Sequence, residues 1–117
     1  MTTVEDLRKI AIDLSGTTED IKWEDHLCFN IGGKMFLVTS PDSVPCDASF
    51  KVPAEIFEET VAKEGFTKHV YLGRYHWVKL DDISRLNNKE WMKYIKQSYQ
   101  LVLDKLPAKF KKNLPAK

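Results

Sequence analysis

Residues 23–38 read WEDHLCFNIGGKMFLV, and the alternation of their apolar positions decides the architecture of the chain. Trp23, Leu27, Phe29 and Ile31 fall on one side of an extended segment, and Glu24, His26 and Asn30 alternate with them. That is the two-residue period of a strand. Gly32-Gly33 supplies the positive backbone angles of a two-residue hairpin turn, and Met35 to Val38 make the return strand. The same pair lacks the longer glycine pattern and the following helix that a phosphate loop requires, so it reads as turn chemistry.

Working outward, residues 3–15 carry Val4, Leu7, Ile10, Ala11 and Leu14 at helical spacing, with Thr3 as N-cap, Asp6 three residues on, and Ser15-Gly16 as the stop. Downstream, a loop containing Pro41 and Pro45 leads into Ala48, Phe50 and Val52, alternate residues of a third strand. Pro53 fits the first turn of a helix whose stripe is Ile56, Phe57 and Val61 and whose stop is Gly65. FTKHVYLGRYHWVKL, residues 66–80, has the β-branched and aromatic content of two strands about a Leu72-Gly73-Arg74-Tyr75 turn. A last helix over 87–106 sets Met92, Ile95, Tyr99, Val102, Leu103 and Leu106 on one side, and Pro107 ends it. Grouped strands joined by tight turns predict an α+β, two-layer domain over residues 1–107. Its antiparallel sheet has about five strands with the helices on one face, in the order α-β3-α-β2-α, and residues 108–117 form a short basic tail.

Composition agrees with one ordinary core: 117 residues, 43% hydrophobic and 11% aromatic. No apolar run approaches the ~18–20 residues that span a bilayer, and MTTVEDLRK lacks a signal-peptide layout, so the expected compartment is the cytoplasm, with no membrane partner. Cys28 and Cys46 belong to no CxxC motif and read as reduced, largely buried thiols. Net charge is +1, but it divides as −7 over residues 1–65 and +8 over 66–117. Lys105, Lys109, Lys111, Lys112 and Lys117 follow the last acid, Asp104. Such a run either attracts nucleic acid or an acidic surface, or is a solvated end that aids solubility.

Three segments, SYQLVLDKLP (98–107), YLGRYHWVKL (71–80) and FNIGGKMF (29–36), together resemble the MmcQ/YjbR family of small bacterial proteins over nearly the whole chain. The resemblance implies a fold related to the secretion-chaperone-like and frataxin-like α+β arrangements, in agreement with the element order. It also implies non-enzymatic DNA binding through a double wing, an exposed sheet face with hairpin wings. Electrostatics point the other way, since residues 1–104 hold 13 basic and 17 acidic side chains.

The residues that would carry such binding are Lys34 and Arg74 at hairpin tips and Lys51, Tyr75, Trp77 and Lys79 on strands. If Val78 and Leu80 face the helices, Trp77, Lys79 and Lys51 face outward, giving phosphate contacts and a stacking ring. The structural alternative makes Tyr75 and Trp77 cross-strand packing partners and the lysines guards of an exposed edge. His26, His69 and His76 have no metal-ligand spacing, Asp81-Asp82 read as a cap, and Ser98 has no His and acid at a catalytic spacing, so no enzyme, metal or cofactor is expected. Two functions remain. One is nucleic-acid binding; the other is a protein-interaction or self-associating module with an apolar contact surface and no nucleic-acid role.

Overall fold

The computed structural model describes residues 2–22 and 25–112. Trp23 and Glu24 of the expected first strand, and Lys117 of the tail, lie outside the described residues. Thr3 caps helix α1 (Val4–Ile12) through a reciprocal capping box with Asp6, and its buried side, Leu7 and Ala11, faces the core. Gly16, at φ 74, then turns the chain into β1 (Thr17–Lys22). The sequence pattern has no counterpart for this strand, and the sheet has six strands instead of about five. TTEDIK conceals it because Ile21 is its one large apolar residue and is itself 60% exposed. A charged edge strand needs only a partner's backbone, and all six of its residues pair with β2 (His26–Ile31).

The glycine hairpin is present, with Gly32 and Gly33 at φ 59 and 78 joining β2 to β3 (Lys34–Thr39). β4 (Ala48–Lys51), α2 (Ala54–Val61), β5 (Phe66–Lys68), β6 (Trp77–Leu80), α3 (Asn88–Asp104) and α4 (Ala108–Lys112) complete the chain. Every pairing is antiparallel, in the order β1-β2-β3-β4-β6-β5. Phe29, Leu37, Phe50 and Val78 lie opposite one another across four strands and are fully buried. Against them α3 sets Trp91 and Tyr94, whose rings meet Phe50 at 5.5 and 5.2 Å, and Tyr99, which meets Phe36 edge-on at 5.4 Å. Polar ends of these rings are satisfied: Trp91 Nε1 donates to the Ile83 carbonyl and Tyr99 OH to the Ser15 carbonyl.

Between Phe29 and Asn30 the β2–β3 register shifts, which turns Phe36 into the helix side. At the same end β3 and β4 stop pairing after Leu37 and Phe50. Ser98, fully buried on α3, takes over the next rung. Its Oγ accepts from the Lys51 amide at 2.9 Å and donates to the Phe36 carbonyl at 2.6 Å. The two strands splay around a helix residue, and the last turns of α3 reach the sheet end beyond them.

Candidate functional site

The splay opens a cleft of about 410 Å³ lined by Lys34 and Met35 of β3, Lys51 of β4, Trp77 of β6, and Val102, Lys105 and Leu106 at the end of α3. Leu72 and Tyr75 close one side. Both belong to the turn between β5 and β6, which contains a short 3-10 segment, Gly73–Tyr75. Its anchor is His69, whose Nδ1 accepts from the amides of Tyr71 and Leu72 at 3.1 and 3.0 Å. That role needs an unprotonated Nδ1, and burial together with the Lys79 charge holds the imidazole below its ordinary pKa. Positive φ falls on His76 (67), the residue before β6. Gly73 matters for its lack of a side chain, since a Cβ there would run into the methylenes of Lys68.

Lys51 dominates the electrostatics of the cleft. It alternates with fully buried Phe50 and Val52, and is itself only 9% exposed. Burial, and then the neighbouring Lys105 amine, bring its pKa down to about 8. Among the described residues no carboxylate pairs with Lys34, Lys51 or Lys105. Lys51 and Lys105 thus neighbour each other, with Lys34 in the same lining, and no counter-charge meets them among the described residues.

Of the six residues singled out in the sequence, the structure brings Lys34, Lys51, Tyr75 and Trp77 to this cleft. Arg74 stands at its rim, its guanidinium 5.0 Å from the Tyr75 ring centroid. Lys79 is apart, on the open sheet face, 3.5 Å from Asp47. Three expectations need correction. Tyr75 is in the 3-10 turn and not on a strand with Trp77. Trp77 does project to the side opposite Val78, but it is 6% exposed, because the turn folds back over it and His69 packs 6.3 Å from its ring. Lys51 is buried for a related reason, the reach of α3 past the splayed strands. The flat, open aromatic face expected from alternation is therefore a recess at one end of the sheet. Sequence reasoning missed Lys105 as a partner of Lys51 and Ser98 as the wedge between strands. Helical periodicity marked Val102 and Leu106 as apolar, and nothing local marked where α3 ends against the sheet.

Residues 108–112, assigned to the tail, form α4, and Phe110 packs against the core. Leu106 and Phe110 crowd Gly32, so the basic end of the chain abuts the β2–β3 turn. No group of metal-ligating side chains occurs among the described residues, and no described helix is long and apolar enough to cross a membrane.

The family model described as YjbR matches residues 12–101. The chain belongs to the YjbR family. The YjbR match takes in Lys34, Lys51, Trp77 and Ser98 and stops short of Lys105. Among solved structures, this YjbR chain is similar to the Deinococcus radiodurans protein DR2400, with family-model domain DUF419, at 26% identity and a TM-score of 0.85, covering 96% of this chain and 87% of that one. A protein from Pseudomonas syringae shares the fold at 19% identity and a TM-score of 0.70, over 86% of this chain and 99% of that one. No curated protein matches.

Proposed function

We propose that this YjbR protein is a non-enzymatic, cytoplasmic nucleic-acid-binding module that holds backbone phosphate at the mouth of the lysine cleft. One observation carries the reading: Lys34, Lys51 and Lys105 converge on one recess with no carboxylate pairing them among the described residues. The Lys105 amine disfavours the charge on buried Lys51, and a phosphate oxygen relieves that repulsion through charge-assisted hydrogen bonds. Arg74 and the half-exposed Tyr75 ring at the rim add a further phosphate contact and a surface for an unpaired base. Buried Trp77 supports the recess and does not stack. Because the recess is a local feature of about 410 Å³ at one end of the sheet, a single strand suits it better than a duplex.

Fluorescence anisotropy of labelled single-stranded and duplex oligonucleotides across a salt series tests this. The single strand should bind more tightly, with log K falling by roughly 3 per decade of salt for four phosphate contacts. Lys51→Met and Lys105→Gln should each weaken binding and flatten the slope. Absence of binding to either oligonucleotide at low salt would refute the reading. A protein-interaction role has one observation of its own, since Val70 and Tyr71 are 86% and 84% exposed on the turn beside the cleft.

A further inference from the structure

The recess has room for more than a phosphate group. Its volume of about 410 Å³ lies within the ~300–1,000 Å³ of small-molecule sites. Lys34 and Lys105 are exposed, whereas Lys51 below them is only 9% exposed and no acceptor meets its ammonium among the described residues. The walls are the side chains of Met35, Leu72, Trp77, Val102 and Leu106. Apart from the amines, the polar groups of the lining are the Tyr75 hydroxyl and the Trp77 indole N–H, and the lining has no carboxylate to hold a cation. Apolar walls around paired amines fit one kind of molecule.

We propose that the cleft binds a small amphipathic organic anion, its carboxylate or phosphate group held between Lys51 and Lys105 and its apolar body against Trp77, Leu72 and Leu106. The two headgroups share the needed chemistry, negative oxygens that accept from both amines. The ligand supplies the missing counter-charge and covers apolar surface that water now meets. This goes beyond nucleic-acid binding, because it seats a small ligand's own apolar body in the cleft and requires no polymer at all.

Isothermal titration calorimetry at low salt with 2-naphthoate and 1-naphthyl phosphate tests it, against neutral 2-naphthalenemethanol and inorganic phosphate. At least one naphthyl anion should bind one-to-one, with both controls about tenfold weaker or more. Lys51→Met should lose about tenfold, and Lys105→Gln, a change at an exposed position, serves equally if the first variant folds poorly. Bound anion should also raise the titration midpoint of a ¹³C-labelled Lys51 side chain by about a unit. Whichever of the two anions binds more tightly identifies the headgroup. The proposal is overturned if neither anion binds, if the neutral analogue binds as well, or if the lysine variants bind like wild type. An oligonucleotide that fails to bind while a naphthyl anion binds supports the small-ligand site and removes the nucleic-acid reading. An oligonucleotide that binds while both naphthyl anions fail does the reverse.

Discussion

Lys51 is a costly residue in its place. An amine whose pKa stands near 8 in the folded chain and near 10.5 in the unfolded chain binds its proton less well when folded, so at neutral pH its charge opposes folding. Between those two values the unfolded state holds more protons, and stability therefore rises as pH climbs from 8 to 10.5 and is lost again on return. Lys51→Met, which keeps the stem's volume and removes the charge, should stabilise the protein at pH 7 by about 1–3 kcal/mol. It should also abolish the portion of the alkaline rise that wild type shows. Urea denaturation of both proteins at about pH 7, 9 and 10.5 measures this, and equal stability at all three values would show that the amine is better solvated than its burial implies. A residue that destabilises the fold and is ringed by apolar surface makes sense where an anion meets it.

At the scale of elements, the decisive contact is α3 against the end of the β3–β4 pair. Ser98 donates to one strand and accepts from the other, both through one hydroxyl in a fully buried position. Ser98→Ala should leave the Lys51 amide and the Phe36 carbonyl without that partner, at a cost of about 1–3 kcal/mol. Chemical denaturation gives the magnitude, and hydrogen exchange at the Lys51 amide gives the site. Wild-type exchange there in the variant would mean that the strands close up and pair directly. This contact explains what alternation could and could not reveal. Period-two patterning located β2, β3, β4 and β6, and it correctly put Lys51 opposite Phe50. It could not say that a helix would reach the sheet end and bury the outward face there, since that depends on a hydroxyl 47 residues away in sequence. β1 escaped for another reason, having almost no apolar residue to alternate.

Across the whole molecule, the acidic first half and basic second half are interleaved. β4 of the first half pairs with β6 of the second, and the cleft takes Lys34 and Lys51 from one and Trp77 and Lys105 from the other. The site was therefore only partly legible: Lys34, Lys51, Tyr75 and Trp77 stand out as residue types, but their meeting with Lys105 needs the completed fold. The chain's end is tied in at Gly32, whose φ of 59 suits glycine and whose missing Cβ leaves room for Leu106 and Phe110. Gly32→Ala should destabilise by about 1–2 kcal/mol and loosen residues 106–110, as read by urea denaturation and hydrogen exchange. An unchanged variant would mean that the two contacts yield without strain.

The wedge of Ser98 has a mechanical side. β3 and β4 share three paired positions before the hydroxyl intervenes, as few as β5 and β6 and half the six between β1 and β2, so β1-β2-β3 and β4-β6-β5 meet along a short seam. Thermal breathing along that seam should move the walls of the cleft against each other. Lys34 and Met35 stand on one side of the seam and Lys51 on the other, and a molecule lodged between them would act as a clasp, its arrival registering as stiffness across the joint.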